Sequence, residues 1–127
     1  MNTQSPGIKA AREFIDAFNA QDHERLGRAL NYPHIRLALG EFKRIESRND
    51  FVDSSRSNES RLRSEGWNHT KMRSIEVIHQ GTDKIHLSIT NDRCDAEGKV
   101  YNSFDTMWVA TLQDGHWGIQ FRSSFLR

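Results

Sequence analysis

The stretch FDTMWVATLQDGHWGIQFRSSF, residues 104–125, decides the fold. Its two arms flank Asp114-Gly115, a dipeptide that accepts the positive φ angles of a two-residue type I′ hairpin turn. Such a turn sets Gln113 opposite His116 and fixes every cross-strand pair behind them. One face then collects Phe104–Phe125, Trp108–Phe121, Ala110–Ile119 and Leu112–Trp117. The other collects Asp105–Ser124, Met107–Arg122 and Val109–Gln120. The first face is apolar enough to demand burial, because a period of two keeps every second side chain on one side. The second mixes an acid, a base and polar groups with Met and Val, as the wall of a ligand cavity does. A bulge would reverse the parity beyond it, so the pairs past Gln120 hold only for an unbroken ladder.

Upstream of the hairpin the chain again reads as strands, separated by turn residues at Gln80-Gly81-Thr82-Asp83 and Asp95-Ala96-Glu97-Gly98. The pattern predicts strands at about 67–79, 84–94, 99–113 and 116–126, an antiparallel meander. Before it, His34-Ile35-Arg36-Leu37-Ala38-Leu39 alternates, predicting a strand over 33–39 with Ile35, Leu37 and Leu39 inward, and residues 42–45 read as a short return strand. The N-terminal third is helical in period. Ser5-Pro6 is an N-cap followed by a first-turn proline, and Ile8, Ala11, Phe14, Ile15 and Phe18 then share one face. Asp22 caps a second helix carrying Leu26, Ala29 and Leu30. Ser47, with Asp50 three residues on, caps a third, whose stripe of Phe51, Val52, Ser55 and Leu62 is sparse. The helices are expected over about 6–20, 22–30 and 48–65. The fold class expected is α+β: three N-terminal helices packed on a strongly curved, mainly antiparallel sheet, in one domain spanning residues 1–127.

Composition narrows the function classes. The 127 residues have a mass of 14.7 kDa, room for one hydrophobic core. Leu, Ile, Val and Phe make up 28 of them and the formal net charge is +1, which excludes a chain held open by self-repulsion. Eighteen Lys and Arg against seventeen Asp and Glu provide no field to attract nucleic acid. The most arginine-rich segment, Arg48 to Glu65, balances four arginines with Asp50, Asp53, Glu59 and Glu65, so it reads as a solvated helix face. No apolar run approaches the ~20 residues that span a bilayer, and the N-terminus lacks the apolar stretch of a signal peptide. A cytoplasmic protein without membrane contact is expected. The single Cys94 cannot form an internal disulfide or a thiolate cage. The six histidines form no compact ligand pair, so neither a metal nor another cofactor is expected.

The order helix–helix–strand–helix–meander resembles that of the nuclear transport factor 2-like superfamily, which includes SnoaL-like proteins and ketosteroid isomerases. Three stretches carry the resemblance: Ala11 to Asp22 (AREFIDAFNAQD), Pro33 to Gly40 in the first strand, and the closing hairpin Asp114-Gly115-His116-Trp117-Gly118-Ile119. The resemblance implies a cone-shaped α+β barrel with a pocket at its open end, and commonly a dimer through the sheets. A homodimer joined by the face with Phe104, Trp108, Phe121 and Phe125 is the expectation. Carried over residue by residue, the isomerase chemistry is incomplete. The oxyanion-donating tyrosine of the first helix corresponds to Phe14, and the base of the first strand to Leu37. Only the second acid has a counterpart, Asp105.

These readings nominate His34 and Asp105 as acid–base residues. Phe14, Phe18, Trp67, His69, Met107, Gln120 and Arg122 are nominated to line a site for a small organic ligand. Histidine suits proton transfer near neutral pH, and an Asp105–Arg122 pair across the hairpin would bind or orient a polar group. Against the ligand-binding domain stand two alternatives. One is a cofactor-independent lyase or isomerase using His/Asp chemistry. The other is an interaction module that binds a protein through the aromatic sheet face.

Overall fold

The computed structural model describes residues 5–126; residues 1–4 and 127 of the expected domain lie outside them. Helix α1 runs Pro6–Ala20, α2 His23–Arg28 and α3 Arg48–Ser64. The strands are β1 Leu30–Ala38, β2 Glu41–Ile45, β3 His69–Gln80, β4 Lys84–Cys94, β5 Val100–Gln113 and β6 His116–Ser124. The architecture is α+β, with the three helices covering one side of a curved six-stranded sheet of order β2-β1-β6-β5-β4-β3. Every neighbouring pair is antiparallel except β1 and β6. The second helix ends sooner than its apolar stripe suggests, because Leu30 and Asn31 already belong to β1. None of the helices among the described residues is long and apolar enough to cross a membrane.

Local chemistry sets the helix starts. Ser5 Oγ accepts from Gly7 N at 3.1 Å, with Pro6 occupying the first helical position where no N–H is needed. Asp22 caps α2 through Arg25 N at 3.1 Å, and Ser47 caps α3 through Asp50 N at 3.2 Å. Between α1 and α2 the chain turns at Gln21 in the left-handed conformation, φ 49°. Arg25 locks the two helices with a bidentate pair to Glu13 at 2.7 and 2.9 Å.

The core lies between α1 and the middle of the sheet. Ala10, Ala11, Phe14, Ile15 and Ala17 pack on Ile85, Leu87, Ile89, Trp108, Ala110 and Ile119, all buried. Asn19 fastens the end of α1 to β3 as a strand neighbour would: its amide donates to Thr70 O and accepts from Thr70 N, both at 2.8 Å.

The closing hairpin departs from its expected register. Asp114 and Gly115 take φ 51° and 78°, the type I′ signature, and pairing from Gln113–His116 to Ala110–Ile119 is as expected. The ladder then slips: Val109 pairs Phe121, Trp108 pairs Arg122 and Thr106 pairs Ser124, leaving Gln120 as an extra residue. Parity reverses beyond this bulge, so Arg122 turns to the helix-covered concave face and Phe121 to the convex face. Phe104 and Trp108 are buried under the helices rather than free to meet a second subunit. Strand β1 is also turned over. His34, Arg36 and Ala38 face inward, and Ile35 and Leu37 lie on the convex side beside Phe121 and Phe42. Apolar residues there are expected inside because a solvated outer face favours polar side chains; around β1, β2 and β6 the outer face is apolar instead.

Gly118 sits where β6 crosses β1. A Cβ there would lie 2.8 Å from the Leu30 carbonyl carbon and 2.9 Å from the His116 ring. Gly118→Ala should destabilise the fold by roughly 1–3 kcal/mol, read as a lower urea midpoint with an unchanged m-value.

Candidate functional site

Two adjoining lobes of a cavity open between the helices and the concave face. The first lies under α1 and is bounded by Ile15, Thr70, Asn91, Phe104, Trp108, Ser124 and Leu126. The second, about 340 Å³, lies under α3 against β1 and β2 and is bounded by Leu26, Lys43, Ile45, Phe51 and the polar face of α3. Phe14, Phe18, Arg36, Arg93 and Arg122 border both lobes. Among the described residues no Asp or Glu borders either. The floor is aromatic: Phe14 meets Trp108 edge-on at 4.7 Å, and Phe18 meets Trp67 edge-on at 5.2 Å.

The arginines are held differently. Arg122 lies over the Phe14 ring at 4.9 Å, and its Nε donates to His34 Nε2 at 3.1 Å. His34 is fully buried, and its Nδ1 is 3.0 Å from Ile119 O. A carbonyl can only accept, so Nδ1 carries the ring proton and Nε2 presents its lone pair to Arg122. Burial, reinforced by the charge of Arg122, pushes the His34 pKa down to about 3. His34 is therefore neutral at pH 7 with both ring nitrogens engaged. It positions Arg122 and has no lone pair left to remove a substrate proton.

Burial also lowers the Arg122 pKa, to about 9, helped by the charges of Arg36 and Arg93; at neutral pH the group remains a cation. The surface Arg122 retains borders the cavity. Arg36 is its register partner on the adjacent parallel strand. Its pKa too is lowered, first by burial and then by Arg93 and Arg61. Arg93 donates from Nη1 to Glu65 at 2.9 Å and lies over the Phe104 ring.

The nominated residues divide. Phe14, Phe18 and Arg122 border the cavity, His34 stands behind Arg122, and Trp67 stands behind Phe18 with its Nε1 donating to Thr70 Oγ1 at 2.9 Å. The other four are elsewhere. Asp105 is exposed on the convex face, accepting from Thr90 Oγ1 at 2.9 Å, so the expected Asp105–Arg122 pair does not form. Met107 pairs Ser123 on that same face. Gln120 uses its side chain to join Thr111 Oγ1 and Pro33 O at 2.8 and 3.0 Å. His69 bonds its neighbour Asn68. The inward parity of Arg36 was the overlooked signal: it shares a face with His34, which had been nominated.

A further hydrogen-bonded line runs from Ser55, which borders the second lobe, away from the cavity. Ser55 Oγ is 2.8 Å from His23 Nδ1, and His23 Nε2 is 2.8 Å from Glu59 Oε1. The order is that of a nucleophile, base and acid. However, Ser55 sits mid-helix, where backbone amides are consumed by the helix, so they offer no oxyanion hole. The line instead clamps α2 to α3. Among the described residues no cluster of three or more His, Cys, Asp or Glu could hold a metal ion.

The stability consequence of His34 has a definite sign. Its folded pKa lies below the ordinary 6.5, so only the unfolded chain takes up this proton between about pH 6.5 and 3. Stability is full above about pH 6.5 and falls as pH drops toward 3, by up to roughly 1.4 kcal/mol per unit from this group. Urea denaturation across that range should show the fall, and His34→Gln should flatten it relative to wild type.

Comparison with known proteins fits the fold. A family model described as NTF2-like protein (DUF6841) matches residues 9–121. A search of curated proteins returned no match. Among solved structures, an NTF-2 like protein of unknown function from Shewanella oneidensis superposes with a TM-score of 0.73 at 14% identity, covering 93% of this chain and 94% of that one. A protein of unknown function with a cystatin-like fold from Nostoc punctiforme gives 0.75 at 9% identity, covering 94% and 87%. A ketosteroid isomerase-like protein from Erwinia carotovora gives 0.67 at 13% identity, covering 94% and 92%. Such identities carry the fold alone. With nearly the whole chain matched by the family model, the protein belongs to the NTF2-like family DUF6841.

Proposed function

We propose that the chain is a cytoplasmic, homodimeric binding domain for a small, partly polar organic molecule held in the concave cavity. The supporting observation is the cavity itself. The second lobe is at the lower end of the range for small-molecule sites and the first adds about 50 Å³, and the walls combine aromatic rings with arginines, of which Arg122 is held in place by His34 and Phe14. The lyase or isomerase alternative has less support, since His34 has no free lone pair, His69 bonds Asn68 outside the cavity lining, and Asp105 is on the other side of the sheet. For the dimer, the support is an apolar stripe of Ile35, Leu37, Phe42, Met107, Val109 and Phe121 across the convex face, with Phe42 67% exposed. A second copy of the same stripe is its natural cover, because a two-fold axis makes one patch self-complementary.

Two measurements test these readings. In a fragment screen by NMR, binders should move the Trp108 indole signal and leave that of Trp117 in place, because only Trp108 borders the cavity. A screen in which no compound does so sinks the binding reading. In light scattering the protein should weigh twice 14.7 kDa, and Phe42→Asp combined with Leu37→Asp should halve that. An unchanged mass would remove the convex stripe as the interface.

A further inference from the structure

We propose that the cavity's ligand is an organic anion whose carboxylate or phosphate lies between Arg36 and Arg122, with its apolar body on Phe14, Phe18 and Trp108. The proposal rests on the binding reading above and specifies the class of molecule. Arg36 and Arg122 are partners on adjacent strands, and neighbouring strands lie only ~4.8 Å apart. Two guanidinium groups leaving the same face at that spacing repel each other, and Arg93 adds a third charge to the same walls. Buried charges are normally neutralised by a counter-ion or taken up by a ligand.

Among the described residues no acid forms an ion pair with either group, and Glu41 offsets the Arg36 charge only from beyond ion-pair distance. Glu65, the acid bonded to Arg93, is already shared with Arg61 and the Tyr101 hydroxyl. Arg36 has no hydrogen-bond or ion-pair partner among the described residues, so its whole donor fork is free. Arg122 gives Nε to His34, which leaves its terminal nitrogens for the cavity. Planar guanidinium forks match the paired oxygens of carboxylates and phosphates. A second, independent observation lies in the first lobe. Asn91 is 4% exposed, borders the cavity, and its Oδ1 has no hydrogen-bond partner. A buried carbonyl oxygen without a donor is uncommon, and a ligand hydroxyl or N–H would satisfy it. The site therefore offers cationic forks for an anionic head, aromatic rings for the body and one acceptor for a donor on the ligand.

The ligand-free protein should carry a cost that the ligand relieves. This separates a binding role for Arg36 from a structural one. A panel of aromatic and aliphatic carboxylates, and of phosphate monoesters, is compared with the matched amides and alcohols by thermal shift and by the Trp108 indole signal. At least one anionic series should bind about tenfold or more tightly than its neutral counterpart, and the series that does so identifies the head group. Arg36→Met should abolish that preference while raising the melting temperature of the dialysed protein. Arg122→Gln should also abolish it. Equal binding of acids and their neutral counterparts overturns the anion proposal while leaving the cavity a binding site, whereas failure of every compound overturns both. An Arg36→Met protein that melts lower and still prefers anions makes Arg36 structural and also overturns the proposal.

Discussion

Gln120 occupies a place in β6 for which β5 has no partner, and most of what distinguishes this cavity follows from that one residue. The bulge turns the rest of the strand over, so that Arg122 faces the helices and Phe121 the outside. Without it, Arg122 would lie on the convex face with Met107, and the concave wall would receive Phe121. The side chain of Gln120 holds the irregularity in place by joining Thr111 on β5 to Pro33 on β1. A bulge near a functional surface commonly re-aims a side chain in this way.

Once Arg122 points inward, its neighbours take complementary roles. His34, neutral and fixed by the Ile119 carbonyl, offers the only acceptor that Arg122 uses among the described residues, and Phe14 presents a ring face to the same cation. A histidine at this place invites a catalytic interpretation, yet its surroundings make it a fixed acceptor. The electrostatic asymmetry is then complete, with positive groups on the cavity wall and, among the described residues, no acid in its lining.

Much of the fold was legible in the sequence because it depends on local signals. Ser5-Pro6, Asp22 and Ser47 mark helix starts by satisfying amides that the helix leaves open. Asp114-Gly115 marks the hairpin because few residue pairs accept its backbone angles. The cavity was less legible because its composition depends on parity, and parity depends on a bulge that has no strong sequence mark at Gln120. The same difficulty affected β1. Ile35 and Leu37 alternate as an inward-facing strand would, but the face they occupy belongs to the outside of the sheet. Arg93 was hidden for another reason: its place in the cavity follows from its inward parity on β4, opposite Asn102, which no local motif marks.

Helix α3 contributes only Phe51, Val52 and Leu62 to the buried interior across its seventeen residues, and it turns serines, Asn58 and Arg61 toward the second lobe. With so little apolar anchorage, its separation from the sheet exposes less oily surface than the separation of α1 would. Local opening follows the least-anchored element. The wall of the cavity is thus uneven in its apolar anchorage, with the rings and the sheet packed into the core on one side and a largely polar helix on the other.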